Sequence, residues 1–149
     1  MENYNQKKDE FQYWLFYMDD ALESFFKNIP PSLSEKLDYS VGSLNFIEEW
    51  ILSRYASIND VKKHEESEIF NGVVMYIGET FRKNLGGKWI IDFSNPADYC
   101  FGLPQLKFQY GIPPTCPMRL VTASIDRKKG TFISTILKNQ LKKSASLGS

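Results

Sequence analysis

The chain has 149 residues, 42% of them apolar and 24% charged, which suffices for one folded domain with its own core. Lys plus Arg and Asp plus Glu each number 18, so the formal net charge is zero. This balance argues against a nucleic-acid-binding surface, and the short apolar runs argue against a membrane span, which needs roughly 20 consecutive apolar residues.

The polar N-terminus and the few cysteines bear on location and on metal chemistry. The first ten residues lack the apolar segment of a secretory signal, which predicts a cytoplasmic location. In a cytoplasmic protein we expect Cys100 and Cys116 to be two buried thiols; the alternative, a disulfide, would stabilise the fold by roughly 3 kcal/mol. His64 is the only histidine and lies among charged residues, so we expect a solvated side chain, no metal site and no cofactor.

The first predicted helix covers about residues 8–27. Apolar side chains recur there at spacings of three and four, which is typical of a helix with one buried face. Tyr13, Phe16 and Tyr17 widen the apolar arc, so the helix either packs on two sides or uses part of its surface for binding. Pro30 ends the helix, because proline lacks a backbone N–H and disfavours helix in the residue before it.

The second predicted helix ends at about Tyr55, after a cap at Asp38 or Ser40. Its inner line consists of apolar residues at helical spacing. Glu48 and Glu49 fall on the opposite side, so we expect both carboxylates to face solvent.

The third predicted helix covers about residues 60–85 and contains two glycines in its apolar second part. Gly72 and Gly78 each cost about 1 kcal/mol in a helix relative to alanine. We therefore expect another backbone or ring to approach the helix closely at these positions. Gly86 and Gly87 predict its end, because glycine readily adopts the left-handed conformation that closes a helix.

The period of the sequence changes after the third helix. Residues 88–93 are rich in aromatic and β-branched side chains, and Leu106, Phe108 and Tyr110 alternate with polar residues, as in a half-buried strand. Together with a short candidate strand over 99–101, these segments predict an antiparallel sheet of two to four strands.

Two helices complete the prediction. They cover about residues 118–127, where a strand is the competing interpretation, and 131–143; the small residues of 144–149 predict a flexible tail. Helices, then a small sheet, then helices again, without regular alternation, indicate the α+β class. We expect a single α+β domain over residues 1–143, with a helical N-terminal half packed on a small antiparallel sheet with C-terminal helices.

Aromatic residues make up 15% of the chain, which favours an exposed docking surface besides a core built on rings. Rigid loops and helices that carry rings lose few rotamers on binding another protein. The predicted partner-binding residues are the rings Trp14, Tyr17, Tyr99, Phe101 and Tyr110, with Asp19, Asp20 and Glu23 as steering charges. The alternative is that the rings of residues 93–118 simply cover the small sheet.

Two other functions stay open at this point. Glu79 lies in an apolar segment, where a carboxylate is costly unless paired. It could be an acid or base of a small hydrolase or transferase together with Asp92 or Asp98, but a structural pairing with a cation such as Arg82 is favoured. The third possibility is a structural homodimer, in which the additional aromatic residues form the interface between two copies.

One group of motifs resembles a known class of proteins. Tyr76-Ile77-Gly78-Glu79 and Gly86-Gly87-Lys88-Trp89, preceded by Leu37-Asp38-Tyr39-Ser40, resemble a group of small bacterial domains, some of which are similar to the immunity-type proteins found beside secreted toxins. The signature residues are Tyr76, Gly78, Glu79, Gly86, Gly87 and Trp89. The resemblance implies that the chain binds and masks another protein rather than acting as an enzyme, and it brings no catalytic residues.

Overall fold

The computed structural model describes residues 4–109 and 111–147. The elements in chain order are the helices α1 (Asn5–Phe16), α2 (Met18–Asn28), α3 (Pro31–Ser34), α4 (Ser43–Arg54) and α5 (Ile58–Val61), a 3-10 turn (His64–Glu66), helix α6 (Ser67–Leu85), strands β1 (Lys88–Ile90) and β2 (Gln105–Lys107), and helices α7 (Pro117–Arg127) and α8 (Phe132–Leu147). The predicted α+β fold is confirmed: helices precede and follow a small antiparallel sheet. No helix in the described ranges is both long enough and apolar enough to cross a bilayer.

Helix α6 lies at the centre of the core. Its residues 72–81 are all buried, and the helix packs against α2, α7, α8 and β2. The two glycines of α6 allow this packing. A Cβ atom at Gly72 would overlap the ring of Phe25, and one at Gly78 would overlap the ring of Trp89. The predicted close approach of a ring is confirmed at both positions. Gly86, with φ of 76°, ends α6 as predicted.

The sheet has two short antiparallel strands, in which Trp89 lies opposite Leu106. Strand β1 stops before the predicted residues 91–93, because the carboxylate of Asp92 accepts hydrogen bonds from the backbone N–H and the hydroxyl of Ser94 and forms a turn. Residues 99–101 lie in another turn, so the candidate strand there is wrong.

The N-terminal helices differ from the prediction. The helix expected over 8–27 is divided at Tyr17, where φ is −94° and ψ is 6°. α2 buries Met18, Leu22 and Phe25, whereas α1 buries only Phe11 among its described side chains. The break allows the two helices to follow different parts of the core. The helix expected over 60–85 likewise begins as two short pieces, α5 and the 3-10 turn, before α6.

The C-terminal helices follow the sequence more closely. The helix predicted over 118–127 is α7, so the competing strand is wrong. Helix α8 continues through residues 144–147, where the flexible tail was predicted to begin, and residues 148–149 lie outside the described part of the chain.

Helix α8 begins at a buried carboxylate of helix α4. Glu48 is fully buried, and its Oε1 and Oε2 accept the backbone N–H groups of Ile133 (2.7 Å) and Phe132 (3.1 Å). A carboxylate stabilises a helix N-terminus because the first N–H groups have no partner within the helix and the helix dipole is positive there. The expectation that Glu48 faces solvent is therefore wrong, whereas Glu49 is exposed as expected.

The two cysteines form a disulfide, with Cα atoms 5.8 Å apart. The expectation of two separate thiols is therefore wrong, and the alternative reading holds. The bridge connects the loop before β2 to the first turn of α7, since Cys116 directly precedes Pro117. Disulfides persist mainly in oxidising compartments, so the bridge does not favour the cytoplasmic location, which stays a prediction.

Candidate functional site

The candidate acid Glu79 is held in a structural pair. The residue is 8% exposed; its Oε2 accepts hydrogen bonds from Arg82 Nε (2.6 Å) and Trp89 Nε1 (3.0 Å), and its Oε1 accepts one from Arg82 Nη2 (3.1 Å). Burial by itself raises the pKa of Glu79, but the hydrogen bonds from Arg82 and Trp89 outweigh burial and hold the pKa below its ordinary value. The favoured pairing of Glu79 with Arg82 is confirmed by these contacts.

The other two carboxylates of the enzyme alternative, Asp92 and Asp98, each lie in a turn of the loop between the strands. Asp92 forms its own turn, in which the hydrogen bonds from Ser94 hold the pKa of Asp92 below its usual range. Asp98 is exposed in the following turn. Glu79 and Asp92 are thus held by local hydrogen bonds, and Asp98 is exposed to solvent. The geometry gives the hydrolase alternative no support.

The signature residues form a packing unit around α6. The buried hydroxyl of Tyr76 lies 2.6 Å from Ser43 Oγ and accepts the backbone N–H of Tyr39 (3.0 Å), which attaches the loop before α4. Gly78 makes room for Trp89, whose indole N–H donates to Glu79. Gly86 and Gly87 both have positive φ and turn the chain from α6 into β1. The contacts of these residues thus position α6 against the loop before α4 and against β1.

A cluster of exposed rings lies where α1 meets α2. Tyr13 is 67% exposed, Phe16 is 79% exposed and Tyr17 is 52% exposed. The rings of Phe16 and Tyr17 meet edge to face, with centroids 5.0 Å apart. The sequence from residue 9 to residue 26 has no Lys or Arg but five carboxylates: Asp9, Glu10, Asp19, Asp20 and Glu23. We call this region, residues 9–23, the acidic corner.

The acidic corner contains an open depression of about 520 Å³ on the outer face of α1. It is lined by Asp9, Gln12, Tyr13 and Phe16, which share a face because residues three and four apart lie side by side on a helix. A carboxylate beside two aromatic rings is suited to a cation, since a ring face attracts Lys or Arg and the carboxylate pairs with it.

The predicted partner-binding residues are divided between several places. Tyr17, Asp19, Asp20 and Glu23 belong to the acidic corner and are exposed. The indole of Trp14 is half-buried elsewhere; its N–H donates to Asn71 Oδ1 (2.6 Å) and its ring meets the ring of Trp89 edge to face.

Two of the remaining predicted residues, Tyr99 and Phe101, come from the loop between the strands. Tyr99 is 64% exposed, and the guanidinium of Arg119 lies over its ring, 5.2 Å from the centroid. Phe101 is half-buried and packs edge to face with Phe93. Tyr110 lies outside the described residues. The described members of the predicted set thus come from α1, α2 and the loop between the strands.

The predicted site residues do not include four members of the acidic corner, which are Tyr13, Phe16, Asp9 and Glu10. Asp9, Tyr13 and Phe16 are separated by four and three positions, and this helical spacing is the signal that the sequence offers for them. The packing of α1 against the rest of the fold decides which side of the helix faces solvent. This packing cannot be deduced from the sequence of α1 alone.

Sequence reasoning also missed a groove of about 910 Å³ between α1, α5, the 3-10 turn, α6 and α7. Its apolar lining combines residues from distant segments, so no local pattern announced it. These residues are Trp14, Ile58, Val61, Phe70, Leu103 and Met118.

No protein-family model matches the chain, and neither a curated protein nor a solved structure matches it. The resemblance to immunity-type proteins therefore stays a prediction based on the quoted motifs.

Proposed function

We propose that this chain is a protein-binding module whose acidic corner engages and masks a basic surface of another protein. This is the role that the resemblance to immunity-type proteins implies. The observation that carries the proposal is the cluster of Tyr13, Phe16 and Tyr17, three large rings exposed side by side. Contiguous exposed apolar side chains of this size are typical of interaction sites.

The depression in the acidic corner suggests how a partner is recognised. A Lys or Arg side chain of the partner enters between Asp9 and the rings of Tyr13 and Phe16. A cation over an aromatic ring contributes about 0.5–2 kcal/mol, depending on how far it is desolvated. Burial of the neighbouring rings supplies the apolar part of the binding free energy.

The other carboxylates of the acidic corner act at longer range. Asp19, Asp20 and Glu23 are exposed, and their summed potential accelerates the approach of a basic partner and repels an acidic one. Glu23 forms an exposed ion pair with Lys27 (3.2 Å), which contributes little and exchanges readily for a partner's cation.

Charge favours a foreign partner over a symmetric homodimer at this surface. A two-fold contact would place the five carboxylates of one acidic corner against the same five of the second copy. Like charges across an interface are destabilising. We therefore expect a monomer in light scattering at micromolar concentration, and a dimer that is lost when the acidic corner is substituted would contradict the proposal.

The binding test compares three forms of the protein in affinity capture from the native cell. The corner variant carries Tyr17→Ala and Asp20→Lys. The matched control carries Phe46→Ala and Glu49→Lys, which remove an exposed ring and reverse an exposed acid on helix α4. We expect a basic protein that the wild type and the control recover and the corner variant loses.

The captured protein is then purified and titrated with each form. We expect its dissociation constant to rise about tenfold or more for the corner variant only, and to rise with salt for the wild type. Equal recovery by all three forms, or binding that is indifferent to salt, would show that the acidic corner is not the interface.

A further inference from the structure

The groove between α1, α5, α6 and α7 has a mainly basic rim, whereas the acidic corner carries carboxylates. Its floor is apolar, and several of its side chains, including Trp14, Phe70 and Met118, are only half-buried, so they still contact solvent. The indole N–H of Trp14 is already hydrogen-bonded to Asn71, so the ring presents apolar surface to the groove. Displacement of water from such an apolar floor by an apolar group is favourable.

The charged residues of the groove lie at its rim and are mainly basic. The rim contains three cationic side chains, Lys62, Lys63 and Arg119, and one carboxylate, that of Glu68. It also contains the exposed His64. That is three cations against one acid. Asp60 offsets part of this excess, because its Oδ1 lies 3.6 Å from the Lys63 ammonium.

Arg119 is held at the rim by a second set of contacts. Its Nε donates to the carbonyl oxygen of Tyr99 (3.3 Å), and its guanidinium lies over the ring of that residue. Arg119 lies in the first turns of α7, three residues after Cys116, so the disulfide fixes the backbone on that side of the groove. The guanidinium of Arg119 is thus positioned before a ligand binds, which lowers the entropic cost of binding.

We propose that this groove binds an amphipathic anion, a ligand with an aliphatic chain that ends in a carboxylate. The volume of about 910 Å³ lies within the roughly 300–1,000 Å³ that small-molecule sites occupy. The chain lies on the apolar floor, and the carboxylate pairs with Lys62 and Arg119 at the rim. Binding of this ligand is separate from the protein-binding role proposed for the acidic corner and does not depend on that role.

The test uses decanoate as the probe and decyltrimethylammonium, which has the same chain and the opposite charge, as its control. Binding is followed by NMR on the full chain, through the methyl group of Met118 and the indole N–H of Trp14. We expect saturable shifts of both signals with decanoate, weakening as salt is added, and at least about tenfold weaker binding of the cationic probe.

Two double variants of equal charge change localise the site. Lys62→Glu with Arg119→Glu reverses two rim cations, whereas Lys129→Glu with Lys142→Glu reverses two exposed cations outside the groove lining. We expect the dissociation constant for decanoate to rise about tenfold in the first variant and to change less than about twofold in the second. A third variant, Thr122→Trp, fills the groove from α7 and is expected to weaken both probes.

Three results would overturn the proposal. The first is the absence of saturable shifts at Met118 and Trp14 with decanoate. The second is equal binding of the anionic and cationic probes, or equal weakening by the two double variants. The third is a groove that is occupied by the acidic corner of a second copy: the wild type would then associate with rising concentration, the Lys62→Glu with Arg119→Glu variant would stay monomeric, and decanoate would not bind the monomer.

Discussion

The rings packed around helix α6 and the rings of the acidic corner differ in what surrounds them. Tyr76 lies 4.9 Å from the ring of Tyr39 and 6.0 Å from that of Phe26, centroid to centroid, and its hydroxyl is hydrogen-bonded. Phe16 contacts Tyr17 and otherwise faces mainly water. Rings thus pack against one another in the core of one region and remain exposed to solvent in the other. Substitutions in the two regions should therefore change different quantities.

The largest effect is expected from Gly78→Ala in the inner region. The new methyl group would overlap the ring of Trp89 and displace it, which costs about 1–3 kcal/mol of unfolding free energy. Urea unfolding followed by circular dichroism measures the change.

The matched control for Gly78→Ala is Gly42→Ala. Gly42 has φ of −63°, and a Cβ there would meet no atom of the described residues within 4 Å. We expect no loss of stability, or a gain of up to about 1 kcal/mol, because alanine restricts the unfolded chain. Equal losses in both variants would mean that the contact with Trp89 does not explain the glycine.

A smaller effect is expected from Glu79→Gln, and it depends on pH. The hydrogen bonds from Arg82 and Trp89 hold the folded-state pKa of Glu79 below its unfolded value. The ionised form therefore stabilises the fold fully above the unfolded-state pKa, and this contribution is lost as the pH falls through the lower folded-state pKa.

At neutral pH we expect the Glu79→Gln variant to lose about 1 kcal/mol, because a neutral amide accepts weaker hydrogen bonds from Arg82 and Trp89 than a carboxylate does. The difference from the wild type should shrink on acidification to about pH 3, as measured by urea unfolding at both pH values. A difference that is independent of pH would contradict a role for the charge.

The smallest effect on stability is expected in the acidic corner. The triple substitution Tyr13→Ser, Phe16→Ser and Tyr17→Ser removes three exposed rings, so the unfolding free energy should change by no more than about 0.5 kcal/mol. Thermal unfolding measures this. A loss above about 1.5 kcal/mol would place these rings in the core and remove the contrast between the two regions.

The comparison also shows where sequence reasoning worked. The period of the apolar residues predicted α4, α7 and α8 as separate helices, and the glycines of α6 correctly predicted the close approach of a ring. The helices depend on residues within a few positions of one another. The glycines were informative because glycine inside a helix is costly unless a close neighbour requires it. The sequence also shows that aromatic and acidic residues are concentrated in the acidic corner. It does not show which side of α1 is exposed to solvent.

The positions of α7 and α8, the end of α6 at Gly86 and the α+β class followed from the sequence, because propensity and apolar period act over a single turn or strand. The tertiary structure decided the rest. Glu48 is buried only because α8 begins beside it 84 residues later in the chain, and the cysteines are bridged only because α7 begins next to the loop before β2. The groove likewise exists only where α1, α5, α6 and α7 meet. Contacts between such distant segments depend on the packing of whole elements, which no local pattern encodes.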